Sequence, residues 1–207
     1  MDNLVWYASY GSNLLYDRFM CYIKGGTPEG STKYCPGCSD QTPPQDRRPK
    51  TIHHELYFTK NSPSWGGKGV AFIKSHKDEN AQTLGRIYLI TKEQFTQIVR
   101  QENSRLPDNP RISIDFKETI EQGESMIDGG WYSRLIYLGE EDGCPIFTFT
   151  GYWDDDAIEE NKPCEAYRKT IVRGLRETYP EMSEGEIMNY LRKAGGLKQI
   201  YPCRGVR

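Results

Sequence analysis

The chain has no apolar run approaching the ~20 residues that a membrane-spanning helix needs, and its opening residues MDNLVWYAS have neither a basic lead nor a long apolar stretch. A secretory signal and a membrane span are therefore not expected. It also lacks an excess of charge of either sign: 27 Lys and Arg stand against 29 Asp and Glu, a formal charge of −2. With no basic tract, a nucleic-acid or anionic-membrane partner has no electrostatic basis. Internal repeats and clean linkers are absent too. The six cysteines, without a secretory signal, read as reduced thiols of a cytoplasmic protein.

What is present suits a substantial core. Apolar residues make up 36% of the 207 and aromatics 12%, with Tyr at 14 copies fitting a half-polar pocket. That length allows one domain with elaborations. Short strands are expected over residues 4–9, 52–58 (IHHELYF), 69–74, 83–90, 112–117 (ISIDFK), 132–138 and 146–153. Residues 24–50, rich in Gly, Pro, Ser, Asp and Gln, read as a long loop insertion, and a mobile flap is the expectation for such a length. From about residue 161 the chain turns helical. Ser183 with Glu186 makes a capping box, and Tyr167, Ile171 and Leu175 repeat at helical spacing. Many short strands with few helices between them indicate an α+β fold with a largely antiparallel, partly closed sheet.

Two places carry chemistry. At Tyr10-Gly11-Ser12-Asn13 an apolar strand stops and a helical stretch begins at Leu14. Gly admits close backbone approach, and unpaired N–H groups at a helix start favour an anion. The alternative is a plain turn with Ser12 or Asn13 as N-cap. In the second place, Thr91 and Gln94 cap a helix whose apolar face is Phe95, Ile98 and Val99. Glu102 lies seven, four and three residues beyond these and so falls on the same face. A carboxylate on the core side is suited to moving protons near neutral pH, because burial raises its pKa. The alternative is an ion pair with Arg100 or Arg105.

Three further features are weaker. Cys35-Pro-Gly-Cys38 is a single C-x-x-C. Zinc would need two more ligands from His53, His54, Cys21 or Cys203, so an ordinary loop is preferred. GGKG at 66–69 reads as a turn before a strand. DDD at 154–156 lacks the spacing of a calcium loop.

The YGSNL stretch after a first strand, SWGGKGVAFI at 64–73, LGRIYLI and the helix ending in Glu102 together resemble the γ-glutamylcyclotransferase family. The ordered likeness runs over residues 4–105 and resumes at PCEAYRKTIVRGL, similar to that family's late Pro-x-x-x-Tyr helix. The resemblance implies a small mixed, largely antiparallel β-barrel flanked by helices, forming one domain over residues 1–207. It implies cyclisation of a γ-glutamyl amine or peptide to 5-oxoproline and a free amine, with no metal or cofactor. Tyr7, Ala8, Ser9, Tyr10, Gly11 and Ser12 would hold the γ-glutamyl group, with Asn13 supporting the turn. Glu102 would be the catalytic carboxylate and Tyr167 a substrate contact. Asn103 stands where the family has Gly after the Glu, and the 24–50 insertion and helical C-terminal extension are also departures. A non-catalytic binding or regulatory module is the alternative function.

Overall fold

The computed structural model describes residues 3–153, 158–195 and 197. The acidic 154–156 stretch and Cys203 lie outside the described residues.

A six-stranded sheet forms the centre, in the order β2-β5-β1-β8-β7-β6. Its strands are β1 (Leu4–Ser9), β2 (Asp46–Ile52), β5 (Thr83–Thr91), β6 (Glu124–Met126), β7 (Arg134–Glu141) and β8 (Cys144–Thr150). All neighbours run antiparallel except the central pair, β1 and β8, which are parallel through Trp6↔Ile146 and Tyr7↔Phe147. A separate hairpin, β3 (Leu56–Ser62) with β4 (Lys68–Ile73), lies apart from it. The helices are α1 (Tyr16–Lys24), α2 (Lys92–Glu102), α3 (Phe116–Gln122), α4 (Glu165–Thr178) and α5 (Glu184–Lys193). The fold class is α+β and largely antiparallel. The expected barrel is instead open: β2 and β6 end opposite edges of the sheet.

β1 explains why LVWYAS reads as one apolar run, because it is covered on both faces. Val5 and Tyr7 enter a core with Phe19 and Tyr22 of α1, Phe95, Ile98 and Val99 of α2, and Phe147. Trp6 and Ala8 point the other way, into a core shared with the β3–β4 hairpin, α4 and α5. Alternation across a sheet buried on both sides leaves no polar face to show in the sequence.

The capping boxes at Thr91/Gln94 and Ser183/Glu186 are present, starting α2 and α5. Three strand expectations need correction. IHHELYF is not one strand: the chain bends at His53 and His54, so Ile52 ends β2 and Leu56 begins β3, although all three of Ile52, His54 and Leu56 are buried. The loop expected to reach residue 50 ends at Gln45, because DRRPKTI pairs with β5 as an edge strand that tolerates Pro49. ISIDFK forms no strand. Asp115 accepts from the Glu118 N–H and caps α3 instead. Among the described residues no helix is long and apolar enough to cross a membrane.

Candidate functional site

The turn after β1 does not open directly into an α-helix. Ser12–Leu14 form one turn of 3-10 helix, Leu15 is extended, and α1 then begins. Neither Ser12 nor Asn13 acts as an N-cap; both side chains are engaged elsewhere. The Tyr88 hydroxyl of β5 donates to the Asn13 carbonyl at 2.8 Å, and Arg86 Nη1 donates to the Leu14 carbonyl at 2.8 Å. Glu177 of α4 closes the bracket, accepting from Arg86 Nη1 at 3.1 Å and from the Tyr16 N–H at 3.2 Å. The carbonyl side of the turn is thereby tied to β5. α4 then lies against it through Gly174, where any side chain would collide with the Leu14–Leu15 backbone.

Beside this turn lies a cavity of about 410 Å³. Its wall takes Tyr7, Tyr10, Gly11, Ser12 and Asn13 from the first strand and turn, Arg18 and Tyr22 from α1, and Lys33 from the following loop. Trp65 and Ala71 come from the hairpin, Glu102, Asn103 and Arg105 from the end of α2, Trp131 and Tyr132 from the loop before β7, and Tyr167 from α4. Of the residues anticipated from sequence, Ala8 and Ser9 are not on this wall. Ala8 is packed in the core, and Ser9 Oγ donates to the Arg86 carbonyl.

Glu102 is half-buried and is the last residue of α2. Its Oε1 accepts from Asn13 Nδ2 at 3.0 Å, and the same amide donates to the Tyr7 hydroxyl at 3.2 Å. The ion pair considered with Arg100 is absent. That guanidinium serves the Ile112 and Pro107 carbonyls at 3.0 and 2.7 Å, ending the loop that follows α2. Asn103 does a related job next to Glu102. Its Oδ1 accepts from the Gly130 and Tyr132 N–H groups at 2.8 and 2.9 Å. Its Nδ2 donates to the Val99 and Tyr132 carbonyls at 3.0 and 2.9 Å. This side chain pins the Trp131–Tyr132 wall to the helix that carries Glu102.

The hydroxyls of the wall stay protonated. Burial, then the Glu102 charge, holds Tyr7 and Tyr22 well above the usual tyrosine value, with Arg18 pulling the other way on Tyr22. Burial likewise raises Tyr132 and Tyr167. Tyr167 accepts from the Ala71 N–H at 3.1 Å, and Tyr132 donates to the Ala71 carbonyl at 3.1 Å, so both grip one residue of β4. Among the described residues, Arg18, Lys33 and Arg105 are the cations of the wall and Glu102 its only carboxylate, so the cavity favours an anion.

Sequence reasoning passed over Arg18, Tyr22, Lys33 and Tyr132. Arg18 was within reach of the rule that found Glu102, since it sits three or four residues from Leu14, Leu15 and Tyr22 on the buried face of α1.

The 26–39 part of the insertion is docked. Gly26 and Cys35 exchange backbone hydrogen bonds at 2.9 and 2.8 Å, the Cys38 N–H reaches the Ile23 carbonyl at 2.8 Å, and Gly37 and Ser39 donate to Gln101 and Gln97 of α2. Lys33 Nζ donates to the Gln101 carbonyl at 2.6 Å. Cys35 and Cys38 are buried in this turn, where Cys38 Sγ donates to the Tyr22 carbonyl at 3.2 Å. Of the other ligands considered for zinc, Cys21 lies near Cys35, but the two histidines are elsewhere: His53 Nδ1 contacts the Ala81 carbonyl and His54 Nδ1 that of Lys74. No three His, Cys, Asp or Glu side chains gather as a metal site among the described residues.

No protein-family model matches the chain. A curated Arabidopsis thaliana protein named histone deacetylase 5 is 35% identical over 204 residues, covering 92% of this chain. The chain spans only 30% of that relative's length. Among solved structures, one named gamma-glutamyl cyclotransferase superposes with a TM-score of 0.50 at 16% identity, over 99% of this chain and 92% of the other. A Homo sapiens protein described as uncharacterized superposes with a TM-score of 0.51, also at 16% identity and with coverages of 99% and 92%. The chain thus shares its fold with a γ-glutamyl cyclotransferase.

Proposed function

We propose that the chain is a cytoplasmic enzyme that cyclises a γ-glutamyl amine or peptide, releasing 5-oxoproline and a free amine. The observation that carries this reading is the Glu102–Asn13 contact. A carboxylate at the end of α2 meets the turn after β1 on the wall of a cavity whose other charged side chains are cations.

The chemistry needs little more. With the substrate folded so that its α-nitrogen faces its own γ-carbonyl, ring closure becomes a matter of proximity. Glu102 takes a proton from the α-ammonium, the freed amine attacks the γ-carbonyl carbon, and a C–N bond forms. The bond to the leaving nitrogen then breaks as Glu102 returns that proton to it, and Glu102 takes the surplus proton from the new ring nitrogen and passes it to the released amine, which departs as an ammonium. The first N–H groups of the 3-10 turn have no carbonyl within their own helix to pair with, and they suit the oxygen that becomes negative on attack. Tyr167 and Tyr132, each fixed to Ala71, shape the far wall.

The test is incubation with a panel of γ-glutamyl amines and peptides, following 5-oxoproline by mass spectrometry, with and without chelator. Product from at least one compound, at a rate chelator leaves unchanged, is the expected result. A second reading, a ligand-binding module without turnover, is favoured by the likeness to a segment of a longer protein that carries a different activity's name. Binding across the panel with no product would select it.

A further inference from the structure

Two polar atoms of the cavity wall are buried without a hydrogen-bond partner, Arg18 Nη1 and Asn13 Oδ1. The assignment of Asn13 is fixed by its amide nitrogen, which already serves two acceptors, Glu102 Oε1 and the Tyr7 hydroxyl. Arg18 is 6% exposed. Its Nε donates to Ser12 Oγ at 3.1 Å and its Nη2 to the Tyr22 hydroxyl at 3.3 Å. The guanidinium lies 5.4 Å from the Tyr22 ring centre and 5.6 Å from that of Trp65. Every one of these neighbours is neutral, and no carboxylate pairs with Arg18 among the described ion pairs. The contrast with the other buried arginine of the region is instructive: Arg86 has Glu177. A buried guanidinium with one donor idle and no carboxylate at ion-pair distance is costly, and an anionic ligand would relieve that cost beyond the longer-range attraction of Glu102.

Resting on the cyclisation reading, we propose that Arg18 binds the α-carboxylate of the γ-glutamyl group and makes that carboxylate a requirement of the site. The guanidinium is held at the turn by Ser12, so a carboxylate that takes up the idle Nη1 sits beside the turn. Glu102 and the idle Asn13 Oδ1 remain as acceptors for the α-ammonium. Trp65 and Tyr22 bound the guanidinium on its ring-facing sides and keep water from replacing the ligand. Charge-assisted pairing of this kind separates a ligand with the carboxylate from one without it by about 10- to 100-fold.

Two pairs of probes test this. The first is 5-oxoproline against 2-pyrrolidinone, identical but for the carboxylate, measured by calorimetry or NMR titration. The second is a γ-glutamyl anilide against its 4-aminobutyryl counterpart, measured by turnover. The unaltered protein is expected to prefer the carboxylate-bearing member of each pair by about 10-fold or more. Arg18→Gln is expected to lose that preference, the carboxylate-bearing member of each pair being weakened more than its partner. Arg18→Lys, which keeps the charge and not the fork, is expected to fall between. A folded Arg18→Gln protein that keeps the full preference overturns the assignment. Should that variant fail to fold, an unaltered protein that shows no preference within either pair overturns it equally. Absence of any turnover together with preserved, carboxylate-dependent binding removes the cyclisation reading and leaves Arg18 as an anion anchor, so the two failures are told apart.

Discussion

Gly11 and Tyr167 touch across the cavity so closely that a methyl group on Gly11 would lie 3.0 Å from the Tyr167 hydroxyl and 3.1 Å from Ala71 Cβ. The φ of Gly11, −113, lies outside the left-handed region that favours glycine, so what a side chain would meet here is a shortage of space. Gly11→Ala is expected to displace Tyr167, costing about 1–3 kcal/mol in stability and weakening ligand binding. Tyr167→Phe removes the obstructing oxygen while leaving the Ala71 N–H without its acceptor. In Gly11→Ala/Tyr167→Phe the two losses should sum to less than their parts, by about 0.5–3 kcal/mol. Chemical denaturation of the four proteins measures this, and strict additivity would show that the two residues do not compete for that space.

Glu102→Gln keeps the acceptor oxygen for Asn13 and removes the ability to take up a proton. Turnover to 5-oxoproline should fall by about 10²- to 10⁴-fold, with melting temperature and 5-oxoproline binding retained. A variant with full activity would remove Glu102 from the reaction. An unfolded one would mark the residue as structural.

Asn103→Ala deletes four hydrogen bonds, three of which join the end of α2 to Gly130 and Tyr132. Leaving those backbone groups unpaired should cost about 2–4 kcal/mol. Hydrogen exchange should speed up at residues 129–133 ahead of the sheet, and KM should rise more than kcat falls. Unchanged exchange in that segment would disprove the pinning role.

Alkaline pH should unsettle the protein once it passes the range in which an ordinary thiol ionises. Burial raises Cys35 from 9.0 to about 11 and Cys38 from 9.0 to about 12. For a group raised in the folded state, the neutral form is the favoured one. Its contribution is complete below the ordinary thiol value and is lost as pH climbs through the raised one. Burial sends Tyr179 the same way, to about 12. Melting temperature should hold up to about pH 8 and decline above about pH 9. Cys35→Ala/Cys38→Ala should flatten the decline, and alkylation of both thiols in the unaltered protein should wait on unfolding.

How much of this was legible depended on how local the signal was. The capping boxes at Thr91 and Ser183 involve residues three apart and were readable as written. Glu102 was readable from one helical face. The partner that matters to it, Asn13, lies 89 residues away, and spacing says nothing about such a pair. ISIDFK misled for a physical reason: Ile112 is buried and Ser113 exposed, the alternation of a strand, yet no neighbouring strand pairs with this stretch and Asp115 spends its side chain on a helix cap. Alternating burial is a property of the surface a segment lies on, while a strand also needs a ladder partner. The open sheet was hidden likewise, because closure depends on where the edges end up and not on any strand taken singly.

The seating of α4 on the turn after β1, through Gly174 and the Glu177 bracket, has a consequence in time. The stretch from Tyr7 to Tyr22 takes part of its backing and far wall from Glu165–Thr178, which is synthesised much later. During synthesis helix caps can form early, but a ligand-ready pocket has to wait for α4. A premature stop before Glu165 would therefore leave the YGSNL turn and Glu102 translated and still unassembled, so the cell obtains no partly working product from an incomplete message.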